Sequence, residues 1–140
     1  MSVRLKRVNH VGLLVQDTAC AAAGFRALGL DIEKTERIGE ELDVAFLPCD
    51  DTYVELLEPL GRKSPLAVEL KAHGPVIQHV AFEVDDLDAA LAELAGEDIG
   101  TLGEAPRQGA GGMRIAFLDP SRFGGVLVEI CAPDPDRHQD

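Results

Sequence analysis

Two histidines and two glutamates stand inside otherwise apolar, strand-like runs of the chain. His10 lies in VNHVGLLVQD (8–17), His79 in IQHVAFEVDD (77–86), Glu55 in TYVELLEP (52–59) and Glu129 in GVLVEICAP (125–133). Two neutral imidazoles and two carboxylates form a competent donor set for a first-row divalent metal, and four donors leave positions open in an octahedral shell. An open position is what a metal needs to polarise a substrate oxygen. Carboxylates placed in apolar strands are costly unless something compensates their charge, so the pattern asks for a cation.

The elements that must position these residues come from an internal repeat. Placing His10 on His79 aligns NHVGLLVQD with QHVAFEVDD, and a helical segment follows each strand. The first is DTACAAAGFRALG, with Asp17 as candidate N-cap and Gly29 as its stop. The second is DDLDAALAELAGEDIG, capped by Asp85 or Asp86 and ending near Gly96 or Gly100. Further strand-like runs cover 31–38, 42–48 and 113–119, so each half reads β-α-β-β-β. The predicted fold class is α+β: one domain over 1–140, built of two paired modules, about 5–63 and 75–133. A short helical linker, 64–74, joins them, with Pro65 in its first turn. Curved sheets are expected to enclose a cleft, with helices outside. Strand alternation turns Val11, Leu13 and Val15 one way and His10 and Gly12 the other. It likewise separates Val80, Phe82 and Val84 from His79 and Ala81, and Val126, Val128 and Ile130 from Leu127 and Glu129. The helix-facing sides are apolar, and the opposite sides carry the polar groups.

Composition narrows the function further. The 13 Lys and Arg against 25 Asp and Glu give a net charge of −12, which argues against nucleic acid and anionic membranes as partners. No run approaches 18 apolar residues, so no transmembrane helix is predicted. The N-terminal MSVRLKRVNHVG lacks a signal-peptide core. Cys20, Cys49 and Cys131 form no paired framework. A cytoplasmic location is the expectation.

The strand-with-His, strand-with-Glu duplication resembles the vicinal oxygen chelate superfamily, to which glyoxalase I, extradiol dioxygenases and methylmalonyl-CoA epimerases belong. The finer resemblance is to the epimerases. It rests on VAFLP (44–48), VELLEP (54–59), SPLA (64–67), HVAFEVDDLDAAL (79–91) and APRQGAGGMRIAFLDPSRFGGVLVEIC (105–131). The chain departs from that pattern at Gln78, Asp119 and Ser121, and in SRFGG. The resemblance implies a homodimer. It also implies a divalent ion, cobalt favoured and manganese, zinc or nickel possible, on His10, Glu55, His79 and Glu129. The substrate it implies is an acyl-CoA thioester, epimerised between (2R)- and (2S)-methylmalonyl-CoA by proton abstraction through a metal-stabilised enolate.

Epimerisation needs groups on both sides of the α-carbon. Glu129 is one candidate, serving as base when its metal contact loosens. The resemblance puts Asp43, in ELDVAFLP, at the place of the second base. The GAGG loop (109–112) reads either as a turn or as backbone amides for an anion. Lys63, Arg107, Arg114 and Arg122 are the cations nearest the motifs and read either as contacts for the CoA phosphates or as ordinary surface charges. His73 and His138 have no repeat partner and read as linker and tail residues, Cys131 as an inert thiol, and Glu58 as solvent-facing. The alternative function is another metal enzyme on the same scaffold, such as a glyoxalase I-like lactoylglutathione lyase. A metal-free sequestering module fits the donor set less well.

Overall fold

The computed structural model describes residues 3–136; His138 and the end of the polar tail lie outside the described residues. The described chain falls into two compact units, one of residues 10–78 and one of residues 3–9 together with 79–136. Strand β1 (Arg7–Leu14) leads into helix α1 (Thr18–Ala27), strands β2 (Lys34–Ile38), β3 (Leu42–Cys49) and β4 (Thr52–Pro59), and helix α2 (Pro65–His73). The first unit's strands run in the order β2-β3-β4-β1, with β1 parallel to β4 and the other pairs antiparallel. Strand β5 (Val76–Glu83) leads into helix α3 (Leu87–Gly96) and strands β6 (Arg107–Gln108), β7 (Met113–Phe117) and β8 (Val128–Pro133). Their order is β5-β8-β7-β6, again with one parallel pair, β5 with β8. Both modules are therefore βαβββ, the α+β arrangement that the repeat predicts. Among the described residues no helix is long and apolar enough to cross a membrane.

Local chemistry explains where the helices begin. The Asp17 carboxylate accepts the Cys20 amide at 3.1 Å, and Asp86, rather than Asp85, accepts the Ala89 amide at 3.0 Å. Ser64 accepts the Ala67 amide at 3.2 Å, with Pro65 at the first helical position of α2. Gly29, at φ +92°, turns the chain out of α1 through a conformation that other residues strain to adopt. Each helix then buries one sheet face. Ala22 of α1 packs with Ala45, Leu47 and Leu56, bringing Leu13, Val15 and Val54 with them. Leu87 and Ala90 of α3 pack with Val84, Ala116, Leu118, Val128 and Ile130.

Two expectations are corrected. Val126 does not join the helix-facing row: β8 starts only at Val128, and Val126 is 55% exposed. Gly124 and Gly125, at φ +66° and +91°, hold the chain before it in a turn. Glu58 does not face solvent: its Oε1 accepts the Thr18 amide at 2.7 Å and so secures the first turn of α1.

The first residues of the chain are held by the second unit. The Lys6 amide donates to the Glu83 carbonyl at 2.8 Å. The Glu83 carboxylate, 4% exposed, accepts from Arg7 Nε and Nη2 at 3.3 and 3.0 Å and from Asn9 Nδ2 at 3.0 Å. Burial pushes the Glu83 carboxyl upward, but the Arg7 and Asn9 hydrogen bonds outweigh it and leave the group below its usual 4.5. A carboxyl lowered on folding contributes stability above its unfolded pKa and loses it as pH falls through the folded value. Glu83→Gln is therefore expected to cost about 2 kcal/mol at pH 7. That cost should shrink as pH falls below 4.5, the group's ordinary value. Urea titrations of both proteins at several pH values measure it; an equal loss at acid and neutral pH would refute the charge-based account.

Candidate metal centre

The register of each unit lines up the same four kinds of side chain on one sheet face. In the first unit Lys34 on β2 pairs with Phe46 on β3, Phe46 pairs with Glu55 on β4, and Glu55 pairs with Gly12 on β1. His10 stands two residues before Gly12, so it shares that face. In the second unit Arg107 on β6 pairs with Ile115 on β7, Phe117 of β7 pairs with Glu129 on β8, and Glu129 pairs with Ala81 on β5. His79 stands two residues before Ala81. Each row thus runs cation, phenyl ring, glutamate, histidine across four adjacent strands. The residue opposite each glutamate is small, glycine or alanine. Its glutamate can therefore lean across it toward the histidine.

The distances follow this layout. His10 Nδ1 lies 3.0 Å from Glu55 Oε2, and His79 Nε2 lies 3.4 Å from Glu129 Oε1. His10, Glu55, His79 and Glu129 are all buried, at 3–6% exposure. The His79 ring stands edge-on to Phe117, 5.3 Å between centroids. Burial pushes the His79 imidazole down to about 4, so at neutral pH it is an uncharged donor. Burial pushes the Glu55 carboxyl up to about 8; the Glu36 charge adds to this and the Lys34 charge opposes it. Such a carboxyl keeps its proton at pH 7 unless a stronger positive charge replaces it. A neutral His79 imidazole and a buried Glu55 carboxyl short of positive charge are donor chemistry that a divalent cation completes.

Asp43, expected from the sequence as the second base, lies off the row. It pairs in register with Glu58, beside Ala45 and Leu56, which puts it on the α1-covered face of β3. Its carboxylate takes a two-pronged contact from Arg37, 2.8 and 3.0 Å, and the Arg37 hydrogen bonds hold it below the usual carboxylate range. Glu36, paired with Val44, is on the Glu55 face instead. Asp43→Asn is expected to leave turnover within about twofold of the parent, because its carboxylate is engaged by Arg37 on the face opposite Glu55. Steady-state kinetics of Asp43→Asn beside Glu36→Gln decides between the two carboxylates.

The remaining sequence candidates separate cleanly. Arg114 is held by Asp88 at 3.2 and 3.3 Å, and Arg122 donates to the carbonyls of Glu97 and Asp98. His73 ends α2 and is exposed, as is Lys63. Cys131 is fully buried with its Sγ 3.6 Å from the Phe82 carbonyl, the setting of an inert thiol. In the GAGG loop Gly111 and Gly112 have φ of +72° and +73°. A Cβ on Gly109 would meet Ile115 at 2.7 Å. These glycines are therefore required by backbone and packing.

Reading from the sequence missed the two phenyl rings and gave Lys34 no role. A signal was present: VAFLP (44–48) and IAFLD (115–119) place Phe46 and Phe117 in matching strands of the two modules.

The chain belongs to the glyoxalase/bleomycin resistance protein/dioxygenase superfamily, whose model matches residues 9–117. Within that family it is similar to the mitochondrial methylmalonyl-CoA epimerase of Homo sapiens, 40% identical over 131 residues, covering 90% of this chain and 73% of the relative. It is similar in structure to the methylmalonyl-CoA epimerase of Mycobacterium tuberculosis, with a TM-score of 0.86 and 32% identity over 96% of this chain and 92% of that one. A Streptomyces coelicolor methylmalonyl-CoA epimerase variant in complex with 2-nitronate-propionyl-CoA also matches. Its TM-score is 0.85 at 29% identity, over 97% of this chain and 100% of that one.

Proposed function

We propose that this chain is a metal-dependent epimerase of methylmalonyl-CoA. The observation that carries the reading is the buried histidine–glutamate pair, repeated at the same register place in each unit of a chain whose relatives are named methylmalonyl-CoA epimerase. The donors we assign to the divalent ion are His10, Glu55, His79 and Glu129. Such an ion, cobalt first with manganese, zinc or nickel as alternatives, would supply Lewis-acid polarisation of the substrate's thioester and carboxylate oxygens.

The chain's own residues supply the proton transfer. The Glu129 carboxylate removes the α-proton, and the electrons of the broken C–H bond pass into the thioester carbonyl. The proton is returned to the opposite face of the α-carbon from a second carboxyl, a role we give to Glu36. Its neighbour Glu55 serves as ligand, and the neutral His79 imidazole stays a donor because burial keeps it from protonating. The same reading carries the homodimer and the cytoplasmic location expected from the sequence; Cys20 and Cys49 are exposed free thiols, as a reducing compartment allows.

The test is solvent-deuterium exchange. Cobalt-loaded protein is incubated with one epimer of methylmalonyl-CoA in D₂O, and the mass and configuration of the thioester are followed. Uptake of one deuteron with loss of configuration, well above the rate with cobalt alone, is the expected result. Unexchanged substrate in the presence of folded, metal-bound protein would remove this substrate and favour a glyoxalase I-like lactoylglutathione lyase, assayed on the glutathione hemithioacetal.

A further inference from the structure

Each row ends in a cation that the metal chemistry does not use. Lys34 Nζ lies 4.9 Å from the centroid of Phe46, and the Arg107 guanidinium carbon lies 5.3 Å from the centroid of Phe117. Both cations stand on the outermost strand of their unit, β2 and β6, and both are exposed. Among the described residues neither has a carboxylate within ion-pair distance. By contrast Arg7, Arg26, Arg37 and Arg114 are all paired with carboxylates. The rings that carry them are opposite or beside the glutamate of the row: Phe46 pairs with Glu55, and Phe117 with Glu129. A cation over a ring is held in place without being neutralised, so its charge stays available to an incoming anion. On a chain of net charge −12, two such cations at the same structural place in both modules need a reason beyond solvation.

We propose that Lys34 and Arg107 are anion-binding residues, each at the end of its own unit's row, that take negatively charged oxygens of the substrate that do not react. The inference rests on the proposed function for the substrate's identity but not for its charge. A carboxylate and a phosphate share the chemistry these cations recognise, and an acidic protein must supply local attraction for either. Arg107, with a planar fork of donors, suits two-pronged contact to either oxyanion; Lys34 acts as a point charge.

Equilibrium titration of the metal-loaded protein, without turnover, tests the assignment. The probes are coenzyme A, which carries phosphates and no acyl carboxylate, and methylmalonate, which carries carboxylates and no phosphate. Arg107→Gln and Lys34→Gln are each expected to weaken binding of one probe about tenfold. Metal content and melting temperature should be unchanged, and Arg107→Lys should recover part of the affinity. Loss confined to coenzyme A identifies phosphate as the ligand, and loss confined to methylmalonate identifies carboxylate. If both variants bind both probes within twofold of the parent, or if the parent binds neither, the proposal fails. An absence of deuterium exchange in the parent would instead sink the epimerase reading and leave the binding result standing.

Discussion

His79→Ala is expected to lose bound metal and to lower epimerase turnover about a thousandfold, the scale of removing a group that anchors charge stabilisation. The imidazole is 6% exposed, 3.4 Å from Glu129 and edge-on to Phe117. Burial keeps it neutral, so its lone pair is ready for a cation at any pH above about 4. Alanine removes that donor and leaves Glu129 without its neighbour. Losing even the groups that orient a ligand typically costs 10–100-fold in metal affinity, and losing the ligand itself costs more. Metal content after dialysis, measured by elemental mass spectrometry, and deuterium exchange on the same sample are the readouts. A melting curve separates loss of metal from loss of fold. A variant with full metal content and full exchange would show that His79 is not a ligand.

The second large effect is an asymmetry between two glutamates in equivalent places. Glu129→Gln is expected to lower turnover about a thousandfold, whereas Glu55→Gln should cost about tenfold or less. Glutamine keeps the shape and one oxygen donor, so either variant can still hold a cation. What it cannot do is take a proton. If Glu129 carries the α-proton and Glu55 only binds metal, the two substitutions must diverge even though their surroundings match. Glu55 is 5% exposed and Glu129 3%, each lies beside a histidine, and each pairs with a phenylalanine. Equal losses in both variants would mean that the two carboxylates share one role, and the base would have to be sought elsewhere.

The parts of this molecule that could be read from its sequence are those governed by short-range rules. Period-two alternation separated His10 and His79 from the helix-facing valines, capping aspartates marked the starts of α1 and α3, and Pro65 marked that of α2. At Asp43 the strand face was not read from the sequence. Its position by alignment was close to a familiar one, but a strand reverses face at every residue, and an odd offset from Phe46 sends it to the helix side. Strand β6 is only two residues long, too short to have a period, so it vanished inside the glycine-rich loop. Lys34 and Arg107 look like ordinary surface charges until register brings each over a ring. Glu58 was misread because its partner, the Thr18 amide, is 40 residues away in the chain.

The grouping of residues 3–9 with the second unit has a consequence for how the chain acquires its structure. Arg7 and Asn9 find their carboxylate 76 and 74 residues later, at Glu83. Contacts of such high sequence separation are slow to close, and they are closed late. During synthesis the opening segment must wait until β5 and its surroundings have been made, while α1 and strands β2 to β4 already have their partners. A fragment ending at residue 74 would keep the pairing of β1 with β4 and lose the Glu83 carboxylate and carbonyl that hold Lys6, Arg7 and Asn9. Cutting the chain at the boundary of its own repeat therefore does not return two copies of a smaller protein.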